Sequence, residues 1–288
     1  MAKANLAKFP ALGALALCLA ASSAAQTRQK VDLELVLAVD VSASMDEDEH
    51  RLQRSGYSAA FRHRDLITAI RSGYGGKIAV TYMEWAGVGT AIQTTPWTII
   101  SNEKEALAFA DRLDNEPLYS EQRTSISDAL ENAAALFDKN AIDANRRVID
   151  VSGDGANNMG AVVTSARDAV VKRGITINGL PIMLGKPMAW YDIPNLDRYY
   201  RDCVIGGTGA FVMSVHGVQE MSNTIRRKLV MEVAGLTPQD EGGPLFQLTQ
   251  AGRGAKADCL AGEKAYQSGI GPDGGFSRPF NRFRPPRP

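Results

Sequence analysis

The stretch Leu33-Glu34-Leu35-Val36-Leu37-Ala38-Val39 followed by Asp40-Val41-Ser42-Ala43-Ser44 restricts this chain more than any other. An apolar run with one charge suits a strand covered on both faces, which is the situation of a parallel sheet. In open α/β sheets such strands deliver their C-terminal ends to the crevice where ligands bind. Asp40, Ser42 and Ser44 stand at i, i+2 and i+4, so extended backbone turns their oxygens to one side. A carboxylate with two neutral hydroxyls is poorly suited to acid/base chemistry and well suited to a hard cation. In isolation the same pattern also describes a Ser-rich loop with an Asp cap, so its meaning depends on the rest of the chain.

The periodicity downstream alternates strands and helices. Asp46 with Glu49 three residues later forms a capping box that opens a helix to about Arg71. The acidic run Asp46-Glu47-Asp48-Glu49 suits that helix N-terminus electrostatically; the alternative is a second cation site at Glu47 or Asp48. His63 falls on the apolar face and is expected in the core. Lys77 to Trp85 and Thr90 to Ile100 read as strands joined by too few residues for a parallel crossover, which predicts one antiparallel edge strand.

Ser101 or Asn102 caps a helix to about Leu113, and the polar loop from Glu116 to Thr124 leads into another helix with Ile126, Ala129, Leu130, Ala133 and Phe137 inward. Thr124 stands at the mouth of that helix, where a threonine is ordinarily a cap. Arg147 to Val151 is a strand that breaks into Ser152-Gly153-Asp154-Gly155, so Asp154 repeats the placement of Asp40. Asp150 either pairs internally with Arg146 or Arg147 or supports the site from behind. Asn157-Asn158 is expected to cap a helix at about 161–173. Strands over 175–182 and 210–215 and a helix from Gln219 to about Val233 complete the order β-α-β-β-α-α-β-α-β-α-β-α. That order predicts a three-layer α/β/α sandwich on a mostly parallel six-stranded sheet.

Charge and cysteines limit the remaining classes. Residues 1–25 carry Lys3 and Lys8, an apolar stretch from Ala11 to Ala20 and Ser23-Ala24-Ala25, the pattern of a cleaved secretory signal, so a periplasmic or secreted protein is expected. The chain has 32 basic and 32 acidic residues; loss of the signal leaves a slight acidic excess, with no basic footprint for nucleic acid. No segment is long enough to span a bilayer. Cys203 and Cys259 remain after cleavage and are either a disulfide or two thiols. Residues 31–234 form the expected domain, and the Gly- and Pro-rich 235–288, ending in a basic run, are expected to be largely irregular.

Asp40-x-Ser42-x-Ser44, then Thr124, then Asp154 in Ser-Gly-Asp-Gly resembles the metal-ion-dependent adhesion site (MIDAS) of von Willebrand factor type A domains, and the surrounding segments resemble a secreted bacterial group of such domains without assigned function. The resemblance implies that Asp40, Ser42, Ser44, Thr124 and Asp154 hold a divalent cation, Mg²⁺ first and Mn²⁺ or Ca²⁺ as alternatives. It further implies a protein partner whose acidic side chain completes the coordination. The rival is a haloacid-dehalogenase-like phosphohydrolase, which Gly153-Asp154-Gly155-Ala156-Asn157-Asn158 resembles. That chemistry needs a second Asp two residues after the nucleophile and an Asp at the final position; here these are Ser42 and Asn158. No G-x-S-x-G and no phosphate-binding G-x-x-x-x-G-K occurs, so no catalytic residues are assigned.

Overall fold

The protein is described by a computed structural model, which covers residues 28–184, 193–238 and 256–269. The expected signal segment, Met188 to Asp192 and the Pro-rich end lie outside the described residues. Five strands form one sheet: β1 (Gln29–Asp40), β2 (Ile78–Trp85), β3 (Ile92–Ile100), β4 (Ile142–Gly153) and β5 (Thr176–Pro181), in the order β3-β2-β1-β4-β5. Only β3 runs antiparallel, as its short connection to β2 requires. β1 lies at the centre, and its residues from Leu35 to Val39 are almost wholly buried.

The two faces of β1 meet different helices. Leu33, Leu35, Leu37 and Val39 join one core with α1 (Glu47–Phe61), α2 (Arg64–Ser72), α3 (Glu103–Asn115) and α7 (Val218–Ala234). Val36 and Ala38 join the other core, with α4 (Ile126–Leu136) and α5 (Val163–Lys172). Each fully buried Leu or Val contributes roughly 1.5–3 kcal/mol. The result is the expected α/β/α sandwich.

The expected sixth strand is not a regular strand. Residues 210–215 run parallel to β5 and exchange Gly179 N–H to Phe211 O (3.0 Å), Met213 N–H to Gly179 O (3.1 Å), Val215 N–H to Pro181 O (3.0 Å) and Met183 N–H to Val215 O (2.7 Å). The bond missing from that ladder is the one residue 181 would donate. Pro181 has no N–H, so the pairing survives only as separated bridges at Val212 and Val215.

Helix boundaries also differ in places. The capping box holds: Asp46 Oδ1 accepts from Glu49 N–H (2.8 Å) and Glu49 Oε2 from Asp46 N–H (2.9 Å). The single helix expected to Arg71 is instead two, because His63 turns extended (φ −89°, ψ 137°) and caps α2, its Nδ1 accepting from Asp65 N–H at 3.2 Å. His63 is thus a half-exposed cap and not a core residue. The long connection after β5 contains α6 (Leu196–Tyr199) and a π-turn over Tyr200–Val204, neither visible in the periodicity. Within the extension, α8 (Ala261–Gly269) is helical, and Cys203 and Cys259 form a disulfide.

Candidate metal centre

Parallel pairing of β1 with β4 sets the C-terminal ends of both strands side by side, Val39 opposite Ser152. Asp40 and the loop carrying Asp154 therefore leave the sheet at the same edge. Asp40 is completely buried. Its Oδ1 accepts from the Ser42 N–H at 2.8 Å, while Oδ2 has no hydrogen-bond partner. From Ser42 a chain of hydroxyls continues outward, with Ser42 Oγ 2.9 Å from Ser44 Oγ and Ser44 Oγ donating to Asp154 Oδ1 at 2.7 Å.

Gly153 makes this closeness feasible. A Cβ there would lie 2.6 Å from Asp40 Oδ2 and 2.9 Å from the Tyr200 hydroxyl, so a side chain at 153 would occupy the place of the carboxylate. Thr124 stands on the opposite wall, its Oγ1 3.5 Å from where a Cβ on Gly155 would be. Its hydroxyl is not the cap of α4; Ser125 is, accepting from Asp128 N–H. Thr124 is held by its backbone: its N–H donates to Asn158 Oδ1 (3.1 Å) and its carbonyl accepts from Asn158 N–H (2.9 Å).

Asn157 and Asn158 thus have a different role from the one expected. α5 begins at Val163, and the residue before it, Val162, provides no side-chain cap. Asn158 ties the β4 loop to Thr124, and Asn157 Oδ1 accepts from Ser127 N–H at 3.0 Å. An Asn pair just after an Asp-Gly turn was the available signal, since short amides satisfy loop backbone as readily as helix ends.

The site's electrostatics are unfavourable for two bare carboxylates. Burial, and then the neighbouring Asp154 carboxylate, push Asp40 well above the ordinary carboxylate range. Behind the first loop, His50 Nε2 lies 3.2 Å from Ser42 O, and burial holds its imidazole below the usual range. Gln53 Nε2 donates to Ser152 Oγ at 2.7 Å, and the Tyr200 hydroxyl is buried beside Asp40 without a partner. The sequence pattern pointed to none of these three.

The five expected residues are brought to one sheet edge, and the donor set suits a hard divalent cation: two carboxylates, three hydroxyls and a buried carboxylate oxygen lacking a partner. Among the described residues no group of three or more His, Cys, Asp and Glu side chains is assembled for a metal. Glu47 is committed to an ion pair with Arg51, and Asp46 and Glu49 to the capping box. Asp150 is paired neither with Arg146 nor with Arg147. Lys228 reaches it from α7, Nζ to Oδ1 at 2.6 Å, and also pairs with Glu232, all three side chains being buried. Arg146 instead donates to the carbonyls of Glu232 and Val233, and Arg147 to Glu34.

Comparison with known proteins agrees with this architecture. Proximal thread matrix protein 1 (PTMP1) from the mussel byssus, with a zinc-occupied MIDAS motif, is 13% identical with a TM-score of 0.54, over 72% of this chain and 49% of that one. The pilus adhesin SpaC from Lactobacillus rhamnosus GG, in its open conformation, is 12% identical with a TM-score of 0.51, over 72% of this chain and 31% of its own. The chain thus spans half or less of the length of these two structures, and the likeness is one of fold. No curated protein matches it. Neither the family description nor these structures names an enzyme. A family model described as "Protein of unknown function (DUF1194)" matches residues 30–237; the chain belongs to that family and has the von Willebrand factor type A fold.

Proposed function

We propose that this protein is an exported binding module, secreted or periplasmic after loss of residues 1–25, whose domain over 31–234 recognises a protein partner through a bound divalent cation. Asp40, Ser42, Ser44, Thr124 and Asp154 would hold the cation, directly or through water, with Mg²⁺ the first choice and Mn²⁺ or Ca²⁺ as alternatives. When bound, it supplies an electron-poor centre. Two carboxylates and three neutral hydroxyls leave it short of negative charge, so an acidic side chain of the partner is a better last ligand than water.

The observation that carries this reading is Asp40 Oδ2, a fully buried carboxylate oxygen without a hydrogen bond, next to a second carboxylate that raises the cost of its charge. Structures do not ordinarily leave such an atom uncompensated. The zinc-occupied MIDAS of the mussel protein is consistent with it. The phosphohydrolase alternative has no comparable support, since Ser42 stands where the proton-handling Asp is needed and its hydroxyl is engaged with Ser44.

Calorimetric titration of the mature chain with Mg²⁺, Mn²⁺ and Ca²⁺ tests the proposal. Saturable binding lost in Asp40→Ala is the expected result; no heat with any of the three cations would overturn it. Pull-down from an envelope fraction with and without chelator then identifies the partner.

A further inference from the structure

The extension beyond α7 returns to the candidate site. Cys259 is bonded to Cys203, which is fully buried in the π-turn that begins at Tyr200. Beside the disulfide, Ala257 N–H donates to Asp202 Oδ2 at 2.8 Å. α8 follows directly and lies against both loops named above. Glu263 Oε1 accepts from Asn157 Nδ2 at 2.8 Å, and the Tyr266 ring lies under the Arg123 guanidinium, 4.5 Å from centroid to Cζ.

Each contact falls beside a residue that positions a candidate ligand. Asn157 precedes Asn158, which holds Thr124 through two hydrogen bonds, and it also ties the loop to Ser127 and to the Tyr199 hydroxyl. Arg123 precedes Thr124 and has φ +71°, a left-handed conformation uncommon for a residue with a side chain. The helix is built to press closely: a Cβ on Gly262 would stand 2.2 Å from the Asn157 carbonyl oxygen, so only glycine allows this approach. A nine-residue helix is marginal by itself. The disulfide keeps it at a high local concentration next to its docking surface.

We infer that residues 256–269 are a disulfide-tethered brace that positions the loops carrying Thr124 and Asp154, with Glu263, Gly262 and Tyr266 as its contact residues. The brace itself is independent of the cation. Its effect on cation affinity rests on the function proposed above.

The experiment compares the full mature chain with Cys203→Ser/Cys259→Ser, Glu263→Ala, Glu263→Gln and Gly262→Val, reading two quantities. The first is amide hydrogen exchange at residues 122–128 and 154–160. It is expected to speed up at least about tenfold in the double-cysteine, Glu263→Ala and Gly262→Val chains, while amides of β1 and β2 keep wild-type rates. Glu263→Gln keeps the acceptor and is expected to exchange as wild type. The second is Mg²⁺ affinity, expected to weaken about tenfold in the same three variants and to be retained in Glu263→Gln. Unchanged exchange in both loops in Glu263→Ala and Gly262→Val overturns the brace. Altered exchange with no Mg²⁺ binding in the wild-type chain upholds the brace and removes the metal reading instead.

Discussion

Ser44 Oγ donates to Asp154 Oδ1 across 2.7 Å, joining two residues 110 positions apart in the chain. That bond spans the gap between the loop after β1 and the loop after β4. It exists because these two strands are parallel neighbours in register, so their C-terminal ends open onto one edge. Asp40 is buried beneath the two loops and Thr124 stands beside Gly155, at the C-terminal end of the strands where open α/β sheets take their ligands.

Replacing Asp40 by Asn separates the cost of the site from its use. Asn keeps the acceptor for Ser42 N–H and removes a buried charge that faces a second carboxylate. In the absence of cation the variant is expected to be more stable than wild type, by about 1–2 kcal/mol. The rise in melting temperature that millimolar Mg²⁺ gives to wild type is expected to vanish. Scanning calorimetry with Mg²⁺ and with chelator measures both; a variant less stable without cation would contradict the assigned cost.

Gly153→Ala places a methyl group where Asp40 Oδ2 and the Tyr200 hydroxyl converge. Both are attached to well-packed elements, so relief requires backbone movement. A loss of about 1–3 kcal/mol is expected, together with weakened cation binding. Urea denaturation and titration of the same sample check the two effects.

Lys228 pairs with both Asp150 and Glu232, and all three are buried. Burial opposes the charge of Lys228, but the two carboxylates outweigh it and hold the ammonium above its ordinary range. Lys228→Met leaves two uncompensated carboxylates and is expected to cost about 3–5 kcal/mol. Adding Asp150→Asn and Glu232→Gln in the same chain is expected to recover most of it. Chemical denaturation of the single and triple variants decides the matter.

The same cluster gives stability a definite pH slope. Burial, and then Asp150, raise Glu232 from an ordinary 4.5 to about 7 in the folded chain, against the opposing pull of Lys228. The folded state therefore binds this proton more tightly than the unfolded state. The group's contribution is fully present below about 4.5 and is lost as pH rises through about 7. Wild type is expected to lose stability relative to Glu232→Gln across that interval, seen as a growing gap between their urea midpoints. A gap independent of pH would refute it.

Much of the fold was legible because its signals are local. An apolar run ending in Asp40 defines a covered strand and its mouth, Asp46 with Glu49 defines a helix start, and a connection of a few residues between β2 and β3 allows only antiparallel pairing. Each depends on neighbours in the chain, so residue order alone was sufficient to give the sandwich and its antiparallel edge; the five candidate ligands were named from the family resemblance, and what sets Asp40 and Asp154 near one another is the pairing of β1 with β4.

What the tertiary structure decided are the pairings between distant segments. Pro181 breaks the sixth strand because the N–H it lacks is the donor that pairing with residues 210–215 would need, and that pairing exists only in the folded chain. Asp150 takes Lys228 in place of the nearby arginines because α7 packs across the inward face of β4. Ser125 caps α4 and releases Thr124, Asn158 holds Thr124 by its backbone, Tyr200 comes to lie beside Asp40, and Cys259 carries α8 back to the same end of the sheet. Spacing cannot foretell these contacts. Which side chains share a buried volume is set by the stacking of strands and helices, and the desolvation of polar groups then selects the partners that remain.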